Sequence, residues 1–155
     1  MTEPPDIIHV KLDKPLHLTA RGAWLHGGEP FTNLKVAALF TRSVVFDPQQ
    51  GAWLVAISAQ RAAFTFEDTP VFVEDIDEQG IAHFSSSAFL PTAPEAYSLK
   101  VGADGAWHLY TEAFPLRSAR LMPSLQQRLT ALICEHGDKT IIELSRARLE
   151  IVDGK

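Results

Sequence analysis

One histidine and two neighbouring acids are the residues of this sequence best suited to acid–base chemistry. His26 follows a tryptophan in a short apolar segment, and Glu67 and Asp68 end the alternating segment RAAFTFED. An imidazole can accept a proton from a reacting group when a carboxylate orients it within hydrogen-bond reach. The sequence therefore supports an enzymatic hypothesis in which His26 is the general base and Glu67 or Asp68 orients it.

Other catalytic and metal-binding patterns are weak. The sequence contains no GxSxG, P-loop, HExxH or GxGxxG motif, and its 6 histidines are scattered. Cys134 is predicted on a helix, opposite Leu125, with nothing nearby to activate the thiol. The acidic segment EDTPVFVEDIDE offers oxygen ligands for magnesium or calcium, but it lacks the EF-hand spacing, and a solvated strand edge is favoured. We predict no metal and no cofactor.

Alternating apolar residues and helical spacing predict the elements that would position these side chains. Three elements are predicted in the first half: a hairpin over residues 16–26, a helix that Thr32 or Asn33 caps and whose apolar positions extend through Val44 and Val45, and paired strands over residues 53–66. The second half has the same order: a hairpin over residues 98–110, a helix over residues 123–136 that ends at Gly137, and strands over residues 140–144 and 146–152.

The shared order predicts an α+β fold, mostly antiparallel, in which two repeated strand-strand-helix-strand-strand units pack into one compact body. Trp24 aligns with Trp107, and RAAFTFED aligns with RARLEIVD near the end of the chain. The predicted organisation is an irregular arm (residues 1–14), a first unit (15–68), a strand-containing insert and linker (69–96) and a second unit (97–155).

Polar residues that occur in only one copy are candidates for a site, because residues present in both copies serve the repeated unit. His26 aligns with Leu109 and shares a strand face with Trp24, so we expect it to point inward and to need a hydrogen-bond partner. Glu67 is likewise unmatched. The predicted ligand-binding residues lie in a pocket between the two β-rich halves: Trp24, His26, Phe31, Phe66 and Glu67.

Composition limits the partners and the cellular location. A net charge of -5 with dispersed lysines and arginines argues against nucleic acid. A single cysteine is typical of a reducing cytoplasm. The sequence contains no run of about 18 apolar residues, so it predicts no membrane span. We therefore expect a cytoplasmic protein with no nucleic-acid or membrane partner. The sequence does not predict the oligomeric state.

The segment GAWLHGGEPF, the Leu39-Phe40 pair and the strand motif FEDTPVFV resemble the bacterial family of unknown function called DUF1285. The matching positions are Trp24, Gly28, Pro30, the Leu39-Phe40 pair, the hairpin over residues 53–66 and the Glu67–Pro70 motif. The resemblance covers residues 22–76 well, and it implies a fold of repeated β-rich motifs and a ligand-binding or signalling role. A more distant likeness to the UPF0598 family lies in FTN, DTPVF and LRSA.

The leading functional prediction is a non-enzymatic cytoplasmic module that binds a small molecule or a peptide, or that acts in signalling. The first alternative is the enzyme with His26 as its base. The second is a protein–protein adaptor that pairs through an exposed sheet edge.

Overall fold

The computed structural model describes residues 8–10 and 12–153, which form an α+β fold dominated by strands, with two α-helices. The predicted α+β class is confirmed. The contacts divide the chain into two compact units. The first unit contains the described residues up to Pro70 together with Ser86–Ala88, and the second contains Val71–Ser85 and the described residues from Phe89 onward. Within the described ranges, no helix has the length and hydropathy needed to cross a bilayer.

The first unit consists of two four-stranded sheets and one helix, with strand orders β1-β7-β6-β5 and β4-β3-β2-β8. Its elements are β1 (Ile8–Val10), β2 (Leu16–Leu18), β3 (Trp24–His26), β4 (Glu29–Pro30), α1 (Leu34–Arg42), β5 (Val44–Asp47), β6 (Ala52–Ile57), β7 (Gln60–Ala63) and β8 (Thr65–Phe66). Part of the predicted irregular arm is therefore a strand, because β1 pairs in parallel with β7. The rest of that arm up to residue 7 lies outside the described residues.

Helix α1 begins where the sequence predicts but ends earlier. Asn33 caps it, because its Oδ1 accepts hydrogen bonds from the backbone N–H groups of Lys35 and Val36 at 3.0 and 3.3 Å. The prediction that the helix continues through Val44 and Val45 is wrong. Both valines belong to β5 and pair with Val55 and Leu54 of β6, and β-branched residues favour this extended pairing over a helix.

The second unit contains one eight-stranded sheet with the order β10-β9-β13-β12-β11-β16-β15-β14. Its elements are β9 (Phe72–Ile76), β10 (Ala82–Phe84), a 3₁₀ helix (Pro94–Ala96), β11 (Ser98–Val101), β12 (Trp107–Tyr110), β13 (Ser118–Leu121), α2 (Pro123–Thr130), β14 (Ile133–His136), β15 (Lys139–Glu143) and β16 (Arg148–Asp153). The predicted insert does contain strands, and it extends this sheet, since β9 pairs in parallel with β13.

Helix α2 is also shorter than predicted. It ends at Thr130, and residues 133–136, predicted as its last turn, form β14 instead. Gly137 does not cap the helix. It has a φ of +67° and lies in the two-residue turn between β14 and β15, where a positive φ suits a tight hairpin. Cys134 therefore lies exposed on a strand rather than on a helix.

The two units share an order of pairing that the sequence predicts only in part. In each, a hairpin is followed by a third strand, a helix and a three-stranded meander. The strand that pairs in parallel with the first hairpin strand is β8, which follows the meander, in the first unit, and β16, the last strand of the meander, in the second. Leu18 pairs with Trp24 in β2–β3, and Val101 pairs with Trp107 in β11–β12. Each unit therefore has more strands than the predicted strand-strand-helix-strand-strand pattern. That one unit arose as a copy of the other stays a prediction.

Candidate functional site

Trp24 is the centre of an aromatic cluster in the first unit. Its side chain is 2% exposed, and its ring centroid lies 5.1 Å from that of Phe64, 5.7 Å from that of Phe40 and 6.5 Å from that of Phe31. The indole N–H donates to Thr41 Oγ1 at 2.9 Å, and that hydroxyl donates to the carbonyl of Ala37. Trp24 thus fixes α1 against β3, because a buried indole N–H needs an acceptor.

A cavity of about 170 Å³ lies beside this cluster, lined by both sheets of the first unit and by α1. Its deepest residues are apolar: Leu16 and Val55 are each 3% exposed, and Phe31 and Phe40 contribute rings that lie 5.1 Å apart. Ala62 of β7 completes this part of the wall. The interior can therefore hold a small apolar group.

The polar residues of the cavity lining lie where the cavity meets water. His26 and Gln60 are the polar side chains of the described lining, and both are exposed, as is the neighbouring Leu12. No carboxylate or ammonium group belongs to that described lining. An apolar interior with a few polar groups at the mouth is the usual composition of a small-molecule site.

His26 lies at the end of β3 and forms a cross-strand pair with Leu16 of β2. Cross-strand partners project from the same face of a sheet, so His26 faces the cavity as Leu16 does. The expectation that His26 is enclosed and hydrogen-bonded is wrong. Its side chain is exposed, and the structure gives it no hydrogen bond to a described residue, because the strand ends there at the Gly27-Gly28 turn.

Glu67 interacts with a different histidine. Its Oε1 lies 3.3 Å from His17 Nε2, and its Oε2 accepts the backbone N–H of Ala20 at 2.9 Å. The Ala20 N–H, and then the His17 side chain, hold the pKa of Glu67 below its ordinary value, because both favour the charged carboxylate. His17 Nδ1 lies 2.7 Å from Thr65 Oγ1, which links β2 to β8.

The proposed pairing of His26 with Glu67 is therefore not formed. Successive side chains of a strand point to opposite faces, so His17 projects away from the cavity that Leu16 lines, and Glu67 lies on the side of His17. The hypothesis also names Asp68, which is not among the residues that line the cavity. The array of Thr65, His17 and Glu67 resembles a hydroxyl–imidazole–carboxylate triad, but it lies on an exposed sheet surface.

The other predicted ligand-binding residues are divided between the cavity and its surroundings. Phe31 lines the cavity together with His26, and Trp24 lies behind Phe31 and Phe40. Phe66 is 36% exposed and packs on Phe64, with ring centroids 6.0 Å apart, outside the cavity lining. A role of these residues in binding stays a prediction, as does the predicted pocket between the two halves.

Sequence reasoning missed most of the cavity lining. Leu16, Val55 and Ile57 alternate in predicted strands, and such residues are ordinarily interpreted as core. The sequence distinguishes Phe40 only as part of the DUF1285-like motif. The sequence feature that could have indicated the cavity is the group of phenylalanines in the same half of the chain as Trp24. Aromatic residues cluster in ordinary cores as well, so this feature does not by itself predict a cavity.

The acidic segment after Glu67 is engaged in local interactions in the second unit. Asp77 Oδ1 accepts the backbone N–H groups of Gln79 and Ile81, and its Oδ2 lies 3.0 Å from His83 Nε2. Asp75 forms an ion pair with Arg128 of α2. In residues 8–10 and 12–153, no three His, Cys, Asp or Glu side chains are grouped so that they could hold a metal ion.

The second unit contains a larger and more polar groove of about 790 Å³, which Tyr97, Tyr110 and Arg117 help to line. Burial, followed by the charges of Asp77 and Glu95, raises the pKa of Tyr97 above its ordinary value. The phenol therefore stays protonated and donates to the carbonyl of Gly80 at 2.6 Å. These contacts give Tyr97 a structural role, so this phenol is not free to bind a ligand in the groove. The apolar cavity of the first unit is therefore the better candidate site.

Comparison with known proteins identifies the fold. A crystal structure of a DUF1285 family protein from Silicibacter pomeroyi DSS-3 is similar to this chain, with a TM-score of 0.58 and 13% identity over 98% of this chain and 85% of the other. A second DUF1285 family protein, from Shewanella baltica OS155, gives a TM-score of 0.46 and 14% identity over 77% of this chain and 92% of the other. No family model and no curated protein matches the sequence.

The first of these structures confirms the DUF1285-like assignment at the level of the fold. The UPF0598 likeness stays a prediction.

Proposed function

We propose that this DUF1285-like chain is a non-enzymatic ligand-binding module whose first unit accepts a small, mainly apolar ligand. The observation that supports this most is the cavity beside Trp24, which has an apolar interior and two polar side chains, His26 and Gln60, at its mouth. Function is argued from this site, since a shared fold alone does not specify an activity.

The size of the cavity limits the size of the ligand. A dry apolar cavity of about 150 Å³ can hold benzene, so about 170 Å³ suits a body of roughly six carbon atoms. Transfer of five methylene groups from water contributes about 4 kcal/mol, and because association itself costs free energy, burial of the chain alone gives a Kd no tighter than about 1 mM. A physiological ligand with additional polar contacts at the mouth would bind more tightly.

The rigidity of the surrounding cluster supports a preformed site. Phe31 and Phe40 contact each other and Trp24, and Trp24 is fixed by its hydrogen bond to Thr41. A ligand that enters a preformed apolar cavity does not have to order these side chains, and this reduces the free energy that binding costs.

The test is an NMR titration of the full chain with 1-hexanol, which carries a six-carbon body and no charge. We expect the resonances of residues that line the cavity, such as Phe31, Val55 and Ala62, to shift in a saturable way at millimolar concentrations. Resonances of the second unit should shift less.

A matched pair of variants on β7 provides the control. Ala62→Leu fills part of the cavity and should abolish the saturable shifts. Ala63→Leu adds the same side chain at the next position, which is exposed and does not line the cavity, and should leave the affinity unchanged. Binding that persists in Ala62→Leu, or that is absent in the unchanged protein with six-carbon alcohols and acids alike, would contradict the proposed function.

The proposal includes a cytoplasmic location. Its support is Cys134, an exposed thiol and the chain's single cysteine, which is typical of proteins that work in a reducing compartment. The signalling role that the DUF1285 resemblance implies stays a prediction.

A further inference from the structure

We infer that the ligand of the cavity is a short-chain carboxylate, with its alkyl body inside and its carboxylate bound at the mouth by Lys14 and His26. This inference rests on the proposed function and adds the chemical class of the ligand. It also adds a residue that does not line the cavity, because Lys14 lies in the segment before β2 and packs against Gly27.

The position of Lys14 is shown by its packing against Gly27. A Cβ atom built on Gly27 would lie 2.7 Å from Lys14 Cδ, 3.2 Å from its Cβ and 3.3 Å from its Cγ. The aliphatic stem of Lys14 therefore lies across Gly27, the residue that follows His26. Long lysine stems commonly cover such surfaces while the ammonium group stays in water.

The backbone holds this arrangement in place. The N–H of Gly27 donates to the carbonyl of Pro15 at 2.8 Å, which ties the residue after His26 to the residue after Lys14. Gly27 has a φ of +61°, so glycine suits both the turn and the close approach of the lysine stem. The turn thus places the stem of Lys14 against the residue that follows His26.

The charges at this end suit a single carboxylate. Lys14 supplies one positive charge, and the His26 imidazole can donate a hydrogen bond in either protonation state. Glu29 is the cross-strand partner of His26, but the structure shows no ion pair between Glu29 and either His26 or Lys14. An ammonium group and an imidazole N–H are the kinds of donor that bind the two oxygens of a carboxylate.

The experiment compares hexanoate with 1-hexanol, two ligands with the same six-carbon length and different head groups. In the unchanged protein we expect hexanoate to bind about tenfold more tightly than 1-hexanol in an NMR titration, since a charge-assisted pair adds to the burial of the chain. Lys14→Met and His26→Leu, which remove the two donors, should each reduce the hexanoate affinity several-fold, and the 1-hexanol affinity of the same variants is the internal reference.

A second pair of variants separates the role of Lys14 from the strain of the turn. Gly27 and Gly28 both have a positive φ, but a Cβ at Gly28 meets no atom within 4 Å. Gly27→Ala displaces the Lys14 stem and should reduce the preference for hexanoate over 1-hexanol. Gly28→Ala carries a comparable backbone cost and should retain that preference.

The outcomes separate the two hypotheses. Equal affinity for hexanoate and 1-hexanol overturns the carboxylate inference and leaves the proposed apolar binding function standing. A hexanoate preference that survives Lys14→Met and His26→Leu together also overturns the inference, because another group must then bind the carboxylate. Absence of binding by both ligands overturns the proposed function and, with it, the inference.

Discussion

Leu16 of β2 and His26 of β3 are cross-strand partners, and both side chains face the apolar cavity of the first unit. His17, the next residue after Leu16, projects from the opposite face and binds Thr65 and Glu67. The alternation of a single short strand therefore separates two histidine environments. The one beside the cavity is available to a ligand, and the other joins β2 to β8.

Loss of the Thr41 hydroxyl should destabilise the first unit. Thr41→Val leaves the buried indole N–H of Trp24 without its acceptor, which costs about 1–3 kcal/mol of the free energy of unfolding. Urea denaturation, with tryptophan fluorescence as the readout, measures this change. Thr41→Ser retains the hydroxyl and should lose less than the valine variant. Equal losses in the two variants would show that the hydrogen bond contributes nothing measurable.

Removal of the helix cap should have a smaller effect. Asn33→Ala removes the acceptor for the N–H groups of Lys35 and Val36, and we expect a loss of about 1 kcal/mol in the free energy of unfolding. Asn33→Asp retains a capping oxygen and should be close to the unchanged protein in the same denaturation experiment. If Asn33→Ala has the same free energy of unfolding as the unchanged protein, packing alone holds the start of α1.

Glu67 should make stability depend on pH in the acid range. Hydrogen bonds from Ala20 and His17 lower the pKa of Glu67 below its ordinary value of 4.5, so the folded state favours the ionised carboxylate. This contribution is present above that value and is lost as the pH falls through the lowered pKa. Glu67→Gln should therefore be less stable than the unchanged protein at about pH 6, and the difference should shrink towards about pH 3.

The same pH series with Glu29→Gln is the control, because the structure gives Glu29 no hydrogen bond to a described side chain through its carboxylate. At about pH 6, Glu67→Gln should lose more stability than Glu29→Gln, because only Glu67 loses hydrogen bonds to Ala20 and His17. A constant difference between Glu67→Gln and the unchanged protein across the series would contradict the assigned role of Glu67.

The hairpins and the fold class follow from the sequence because alternation and turn residues are local properties. Residues 98–110 and residues 53–63 contain both, and they form the predicted pairs. For both helices, the sequence predicts an end that lies further along the chain than the observed one. Val44 and Ile133 continue an apolar helical spacing, and only their partners across the sheet, Val55 and Ile142, make them strand residues.

The candidate site could be predicted only in part, because it depends on which strand faces meet. The sequence indicates His26 and Phe31, both of which line the cavity, but it gives no reason to separate Glu67 from them. That separation depends on the pairing of His17 with Thr65, two residues that lie far apart along the chain. The approach of Lys14 to Gly27 is likewise a consequence of how the segment before β2 folds back.

The binding of a six-carbon ligand tests the central claim most directly. Titration of the unchanged protein, Ala62→Leu and Ala63→Leu with hexanoate should give saturable shifts of cavity resonances in the unchanged protein and in Ala63→Leu, with loss of these shifts in Ala62→Leu. Equal binding by all three proteins, or shifts confined to residues outside the cavity, would contradict the assignment of this cavity as the ligand site.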